Sequence, residues 1–286
     1  MKRWLWILIA GGIIGIAVVV LLTNFLYVQV SDNTMLPAYD KGHKILIRHS
    51  KPANIQRWDV IAYHSPELAD KEISKKPVRV SRLAGFPGDT LTIDNKVVYL
   101  NNVRANSPSK RYYKYRLSAH KGFDPKSLEK QPIHYLSEVI DGMAWEFHTT
   151  PSDAAAIQRN DEVITVRQLS QLRGQRQEGI FPQSRFFPWN ESYFGPLVVP
   201  KSGQPVNLNY KNYKMYQRLI SVYEGHQMYV NNRKIYLDGE EATTFVPEQD
   251  YYFVLDDNRD DGNDSRHMGF IPADHILGKK TWQHAK

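Results

Sequence analysis

The chain begins with a long apolar segment, and the apolar segments after it are much shorter. The first segment runs from Trp4 to Val28 without a charged residue. As a helix it would be roughly 37 Å long, against about 30 Å for the hydrocarbon core of a bilayer. Lys2 and Arg3 precede it, which places the N-terminus in the cytoplasm. The pattern predicts a single-pass anchor. A cleaved signal peptide is the alternative, but its apolar region is usually only roughly 7 to 15 residues long.

After this segment, short runs rich in Val, Ile and Tyr alternate with turn-forming residues. Such runs predict strands rather than helices. The predicted strands lie at 43–48, 58–63, 78–85 and 90–100. A hairpin pattern at Asp94–Leu100 returns at Asn231–Leu237, where two turn-forming residues again precede an apolar strand. The outer part of the chain is therefore predicted to be mainly β.

The middle of the chain has a different character. Arg104–Lys130 contains eight basic and two acidic residues with tyrosines between them. This stretch fits either a solvated loop or a surface for anionic lipid headgroups. Residues 137–172 contain the best helical material of the outer part. The four prolines in 181–200 exclude a long helix there and predict an aromatic-packed loop.

Composition and charge narrow the class of protein. Of 286 residues, 42% are hydrophobic and 23% are charged, a balance typical of a folded chain. The absence of cysteine excludes disulfides, a thiol nucleophile and Cys-ligated zinc. The net charge of +7 fits a nucleic acid, an anionic membrane surface or no particular partner, because net charge alone bears on solubility and association. The predicted anchor argues against nucleic acid as a partner.

Three short stretches place Gly, Pro, Asp and Asn at tight spacings within strand-like sequence. The first box is Ser31–Pro37 (SDNTMLP), the second box is Ser81–Asp89 (SRLAGFPGD), and the third box is Asp256–Gly269 (DDNRDDGNDSRHMG). In this order, behind an apolar anchor, they resemble the motifs of the type I signal peptidases. Those enzymes are membrane-anchored serine endopeptidases that remove signal peptides from exported preproteins. The resemblance covers residues 1–100 and 245–286.

The resemblance implies a domain organisation. Residues 1–29 would be the transmembrane anchor, and 30–100 with 245–286 would form a signal-peptidase-type β core. Residues 101–244, here called the cap region, would form an inserted α/β cap. The implied fold class is thus mainly β, with one N-terminal transmembrane helix.

The resemblance also assigns positions to the catalytic dyad. Family members use a serine nucleophile and a neutral lysine base, whose ammonium form is disfavoured by an apolar setting. Thr34 stands at the nucleophile position and Ser81 at the position of the lysine. Threonine keeps the hydroxyl, but serine has no titration near neutral pH and cannot replace the amine. The dyad is therefore predicted to be disabled.

Further departures accompany these two. Asp32 occupies the position that supplies an auxiliary oxyanion hydroxyl in some members, and a carboxylate there opposes the developing negative charge. Gly262 stands where the family has a serine that orients the lysine. Asp256 replaces the first glycine of a Gly-Asp pair. The supporting residues that remain as the family would have them include Asp257, Asp264 and Arg266.

The residues fit other kinds of site less well. A calcium loop starting at Asp256 fails because Asp261 stands where a glycine is needed and His267 where a glutamate is needed. His267 could instead serve as a substitute base for Thr34, and so could Lys75 or Lys76 if they turned inward. Packing or hydration explains these three residues more simply. No metal and no cofactor are expected.

The sequence thus predicts a membrane-anchored homologue of signal peptidase I at the outer face of the inner membrane, with its bulk extracytoplasmic. It would engage exported preproteins or their signal peptides, with proteolysis lost or strongly impaired. Membrane lipids and an active paralogous peptidase are further partners, and nucleic acid is not. Two alternatives stay open: an active signal peptidase that uses Thr34 with a non-standard base, and an envelope structural or interaction protein.

Overall fold

A computed structural model of the chain describes residues 24–67, 71–128 and 130–281. The mainly β prediction is confirmed. Its strands are β1 (Phe25–Gln29), β2 (Lys44–His49), β3 (Val60–His64), β4 (Val78–Gly85), β5 (Thr90–Asp94), β6 (Val97–Leu100), β7 (Val103–Arg104), β8 (Tyr113–Ala119), β9 (His134–Ile140), β10 (Ala144–Thr149), β11 (Val163–Gln168), β12 (Phe194–Val198), β13 (Val206–Asn207), β14 (Met228–Asn231), β15 (Lys234–Leu237), β16 (Glu240–Glu241), β17 (Thr244–Phe245), β18 (Tyr251–Leu255), β19 (Ile271–Pro272) and β20 (Ile276–Lys280). The helices are α1 (Pro151–Ile157), α2 (Tyr213–Arg218), continued by a π-helical turn at Leu219–Tyr223, and α3 (Ser265–Met268), with 3-10 turns at Pro52–Asn54, Ile73–Lys75, Pro125–Leu128 and Ala273–His275.

The largest sheet has seven antiparallel strands in the order β1-β2-β20-β3-β4-β18-β19. Its strand β18 is buried along its whole length because hydrophobic clusters cover both faces. Tyr251, Phe253 and Leu255 belong to one cluster, and Tyr252 and Val254 to another. This division follows the two-residue alternation of side chains along a strand. The second box continues β4, and the third box connects β18 to β19.

Both predicted hairpins are present, and their turns have the geometry that the sequence pattern indicates. Asn95 and Lys96 both have positive φ (47° and 66°) between β5 and β6. Asn232 and Arg233 repeat this (47° and 62°) between β14 and β15. Two consecutive positive-φ residues are the mark of a type I′ turn, which matches the right-handed twist of the paired strands. The four predicted strand regions are likewise found as β2 to β6.

The helical prediction for 137–172 is wrong for most of its length. Only Pro151–Ile157 is helical, capped by the Thr150 hydroxyl, which accepts a hydrogen bond from the Asp153 amide. The residues on either side form β9, β10 and β11. Ala144–Thr149 is mostly buried and pairs with β8 along its length. Burial against a neighbouring strand has therefore overridden helix propensity.

The basic, tyrosine-rich stretch contributes a strand rather than a single loop. In β8, burial alternates along the chain, so that Tyr113 and Tyr115 point into a hydrophobic cluster together with Phe147. The tyrosines are therefore packing residues of the four-stranded sheet β11-β8-β10-β9. At the edge of that sheet, every residue of β9 is exposed.

The start of the core falls inside the predicted membrane segment. Residues 25–28 of that segment belong to β1, which pairs with β2. Its remaining residues up to position 23 lie outside the described part of the chain. No helix within the described ranges has both the length and the apolar character needed to cross a bilayer.

Residues on both sides of the predicted core–cap boundary share one sheet. Strand β12 of the cap region pairs with β5, and Phe194 packs in the same cluster as Leu91 and Phe253. The pairing is irregular between Phe194 and Leu197, where Gly195 has φ +89°. The division of the chain into core and cap stays a prediction.

Gly195 provides a test of this junction. An added Cβ would clash with the Leu91 carbonyl oxygen and lie 3.2 Å from Thr92 Cα. We expect Gly195→Ala to lower the free energy of unfolding, measured by urea denaturation, by well over the about 1 to 2 kcal/mol that positive φ alone costs. Gly203→Ala is the matched control, because Gly203 also has positive φ (+72°) but no atom within 4 Å of the added Cβ. Equal losses in the two variants would contradict the packing described at β12.

Candidate active site

The three boxes meet at one place, because β4 and β18 are neighbours in the large sheet. The second and third boxes are joined by a bidentate ion pair, in which Arg82 donates from Nε and Nη2 to the two oxygens of Asp257, both at 2.7 Å. The first box joins the third through the Asn258 amide, which donates to the Thr34 carbonyl at 2.8 Å. The residues that the sequence predicted as a site are thus brought together by the fold.

The hydroxyl at the nucleophile position is paired with a carboxylate. Thr34 Oγ1 donates to Asp32 Oδ1 at 2.6 Å, and the Thr34 amide donates to the same oxygen at 3.1 Å. Arg79 Nη2 lies 3.8 Å from Asp32 Oδ2. Partial burial raises the pKa of Asp32, but the bonds from Thr34 and the charge of Arg79 outweigh it and leave this pKa below its ordinary value. Asp32 is therefore a weak base.

The hydroxyl at the lysine position is also paired with a carboxylate. Ser81 is 1% exposed and donates to Asp256 Oδ1 at 2.5 Å. Its oxygen lies 3.0 Å from the hydroxyl of Tyr63, which is itself fully buried. Within the described residues, Thr34 and Ser81 share no hydrogen bond. The structure thus places two separate hydroxyl–carboxylate pairs at the two positions that the resemblance assigns to the dyad.

The altered positions of the second and third boxes fit one another. A Cβ added at Gly262 would lie 3.1 Å from Asp256 Cβ and 3.0 Å from the Asn258 carbonyl oxygen. These approaches are tight for real side chains, so a serine at 262 requires a shift of its surroundings. The Asp256 carboxylate, which a glycine at 256 would lack, reaches Ser81 instead. Residues 81, 256 and 262 therefore form one packing unit.

A buried ion pair supports this unit. Asp264 is fully buried, and both its oxygens accept from the Arg266 guanidinium, at 2.9 and 2.8 Å. Asp264 Oδ2 also accepts from the Asp256 amide, and Arg266 Nη1 donates to the Arg259 carbonyl. Burial raises the pKa of Asp264, but the charge and the hydrogen bonds of Arg266 outweigh burial and lower this pKa from 3.8 to about 2. Asp264 and Arg266 are thus charged partners that hold the third box in place.

The pKa of Asp256 is shifted in the opposite direction from that of Asp264. Complete burial and the negative charge of Asp264 raise the pKa of Asp256 from 3.8 to about 7, against the lowering effects of the Ser81 hydroxyl and of two arginines. Its second oxygen accepts from the Asn263 amide at 3.0 Å. The protonation of this carboxyl therefore changes close to neutral pH.

The candidate substitute bases are turned to other partners. His267 Nε2 lies 3.4 Å from Glu191, Lys75 Nζ lies 2.9 Å from Glu72, and Lys76 Nζ lies 3.5 Å from His275 Nε2. Across residues 24–67, 71–128 and 130–281, no lysine or histidine nitrogen forms a hydrogen bond with Thr34 Oγ1.

The oxygen ligands of the rejected calcium loop also have separate protein partners. Asp260 accepts from Lys96 Nζ at 2.6 Å, and the Asn258 side-chain oxygen lies 3.1 Å from His148 Nδ1. Asp256 accepts from Ser81. These side chains are therefore engaged in holding the fold.

Two residues of the site were missed by sequence reasoning. Arg79 precedes Ser81 by two positions in β4, so both side chains lie on one face of the sheet. Tyr63 is paired with Arg79 in the adjacent strand β3. The strand prediction for 78–85 contains the signal for Arg79, because positions i and i+2 share a face. Tyr63 depends on the register between β3 and β4, which the sequence alone does not give.

Asp256 makes stability depend on pH. An unfolded carboxyl loses its proton near 3.8 and the folded Asp256 near 7, so the folded state holds an extra proton between these values. The free energy of unfolding should therefore fall as pH rises from about 4 to about 7, by at most about 1.4 kcal/mol per pH unit from this group. We expect Asp256→Asn to flatten that slope in urea unfolding at pH 4.5 to 7.5. Parallel curves for the two proteins would contradict the assignment.

Comparison with known proteins agrees with the motifs. The chain matches the family described as signal peptidase, peptidase S26, over residues 2–176 and 197–284. It is 27% identical over 120 residues to a signal peptidase I of Bacillus caldolyticus (41% of this chain, 58% of the relative), and 54% identical over 35 residues to that of Aquifex aeolicus (12% and 14%). These matches span less than two thirds of each relative. A crystal structure of a signal peptidase I from Enterococcus faecalis is similar at 17% identity with a TM-score of 0.31, over 80% of this chain and 97% of that one. With nearly its whole length matched by the family, the chain belongs to the signal peptidases of peptidase family S26.

Proposed function

We propose that this protein binds the signal peptides of exported preproteins at the outer face of the inner membrane and that its proteolytic activity is lost or strongly reduced. The observation that carries the proposal is the pairing of both dyad-position hydroxyls with carboxylates, Thr34 with Asp32 and Ser81 with Asp256. Family membership supports signal peptides as the ligand.

The pair at Thr34 is poorly suited to acyl transfer. A general base works best when its pKa lies near the working pH, whereas the pKa of Asp32 lies below the ordinary value for a carboxyl. The same carboxylate places negative charge beside the atom that attacks. An oxyanion formed there would be repelled rather than stabilised. Both effects slow the chemical step.

The pair at Ser81 removes the base from its usual position. A buried carboxylate next to the lysine position also explains why an amine there would not work. An ammonium group beside Asp256 would lower the raised pKa of this carboxyl, and each of the two opposite charges would then favour the ionised form of the other. Loss of a general base costs about 10²- to 10⁴-fold in rate, and loss of a nucleophile–base unit costs up to about 10⁶-fold.

The framework around the site supports retained binding. The Arg82–Asp257 pair, the Asp264–Arg266 pair and the Thr34–Asn258 backbone contact keep the three boxes together. Addition of a peptide as an extended strand needs backbone hydrogen-bonding groups and side-chain pockets, and no dyad. Binding can therefore persist after cleavage is lost.

The sequence before β1 supports the proposed location. Residues 4–23 carry no charge and number twenty, which is the length that a helix needs to cross a bilayer. The basic residues at positions 2 and 3 favour a cytoplasmic N-terminus. The remainder would lie outside the cytoplasm, where lipids and an active paralogous peptidase are proposed as further partners.

A labelled signal peptide and a scrambled control peptide can test binding and cleavage together. We expect full-length protein in detergent micelles to bind a fluorescent signal peptide and not a scrambled peptide, as measured by anisotropy. We expect the same sample to release no more cleaved product than the Thr34→Ala variant, because the hydroxyl has no effective base. Turnover that disappears in Thr34→Ala would favour the active-peptidase alternative, and equal anisotropy with both peptides would favour the structural one.

A second experiment tests why the site is inactive. Thr34→Ser with Ser81→Lys should give little turnover, because Asp256 keeps the new amine protonated. Adding Asp256→Gly and Gly262→Ser removes that carboxylate and supplies the orienting hydroxyl. We expect the quadruple variant to be at least about 100-fold faster than the double variant, which is the smallest rate gain that a restored general base usually gives.

The matched control for the quadruple variant carries Thr34→Ala in place of Thr34→Ser. Its turnover should stay at background. If the double variant is as fast as the quadruple variant, Asp256 does not keep the lysine amine protonated, and this explanation of the inactive site is wrong.

A further inference from the structure

A cationic cleft lies outside the three boxes, next to the hairpin that joins β5 to β6. Its volume is about 370 Å³. The charged and polar side chains that line it are those of Lys96, Arg104, Asn106, Ser107, Arg111 and Tyr113. Three of these are basic, and none of the described residues that line the cleft is acidic. The cleft is large enough for a small charged group and its hydration.

Two of the three cations have no acidic partner in the described chain. Lys96 is paired, because its ammonium group lies 2.6 Å from both oxygens of Asp260. Arg104 and Arg111 form no ion pair with any carboxylate among the residues described. Arg111 Nε is moreover shielded from solvent without a hydrogen-bond partner. A buried donor of this kind normally has a partner.

A third arginine lies close to this cleft. Arg259 is 3% exposed, and its Nε and Nη2 atoms are buried without hydrogen-bond partners. Burial, together with the positive charges of Arg111 and Arg266, lowers the pKa of Arg259. A cavity of about 10 Å³, enough for one water molecule, is lined by Arg259 and shares Lys96 and Tyr113 with the cleft. Glu191 and Asp260 also line this small cavity. Among the described residues, the positive charge without a carboxylate partner is therefore that of Arg104 and Arg111 in the cleft.

We infer that this cleft is a binding site for a phosphate group, held chiefly by Arg104 and Arg111. Guanidinium groups match the tetrahedral oxygens of phosphate and often bind them through two parallel hydrogen bonds. The side chains of Asn106 and Ser107 offer neutral donors beside them. The phosphate can belong to a free anion or to a phospholipid headgroup, since both present the same oxygens.

The cleft is coupled to the third box through the backbone. The Tyr112 amide donates to the Asp257 carbonyl, and the Arg259 amide donates to the Tyr112 carbonyl, both at 2.9 Å. Tyr112 lies between the two cleft residues Arg111 and Tyr113. An anion that fixes Arg111 would therefore also restrain the segment that carries Asn258, whose amide holds the Thr34 carbonyl.

Calorimetric titration tests the site with inorganic phosphate as the probe. Full-length protein in micelles of a phosphate-free maltoside detergent should bind one phosphate, at constant ionic strength. We expect Arg104→Gln with Arg111→Gln to weaken binding by at least about tenfold, because hydrogen bonds between charged partners are stronger than neutral ones and both guanidinium groups are lost. Arg167→Gln is the control, because Arg167 is an exposed arginine of β11 outside the cleft.

A second arm separates the two sources of phosphate. The same proteins are placed in nanodiscs of phosphatidylglycerol, and hydrogen exchange is measured over residues 101–113. Protection that requires Arg104 and Arg111 and appears in the nanodiscs but not in the phosphate-free micelles identifies a lipid headgroup, whereas calorimetric binding of inorganic phosphate in the micelles identifies a free anion. Unfolding curves of all variants verify that they are folded. The inference is overturned if neither arm gives a signal, or if the double variant and Arg167→Gln behave alike.

Discussion

The buried ion pair between Asp264 and Arg266 is the constraint on which the arrangement of the site depends. Removing two charges from water is costly, and the cost is offset only if hydrogen bonds satisfy both groups. Here the carboxylate receives bonds from the arginine and from the Asp256 amide, and the guanidinium also donates to the Arg259 carbonyl. The pair therefore fixes the path of the third box. That path determines what Ser81 can reach, and it places the Asn258 amide that holds the Thr34 carbonyl.

Within this frame, the chemistry of the site is that of hydroxyl–carboxylate pairs. Such pairs are good at holding a structure and poor at activating a nucleophile. The carboxylate next to Thr34 is held in its charged form, whereas the one next to Ser81 is pushed towards its neutral form by burial and by Asp264. The surroundings of these two carboxyl groups thus shift their pKa values in opposite directions. Neither offers the neutral amine that the family resemblance implies.

The sequence predicted those features of the fold that local patterns determine. Hairpin turns such as Asn95-Lys96 could be placed because two adjacent residues fix the turn geometry. Strands β2 to β4 could be placed from their apolar runs. The helical prediction for 137–172 was wrong because pairing with β8 decided the conformation of 144–149.

The same limit applies to the site. The motifs single out Thr34 and Ser81 because box spacing is local information, and their assignment to the dyad stays a prediction. The partners of these residues were not predictable in the same way. Asp256 reaches Ser81 across 175 positions only because β4 and β18 are adjacent and in a particular register.

The missing Cβ at Gly262 also limits the order in which substitutions can enter this site. A side chain at 262 would press on Asp256 Cβ and on the Asn258 carbonyl oxygen unless these atoms moved by a few tenths of an ångström. A serine at 262 is therefore accommodated more readily when residue 256 is small. Packing thus favours a change at 256 before a change at 262.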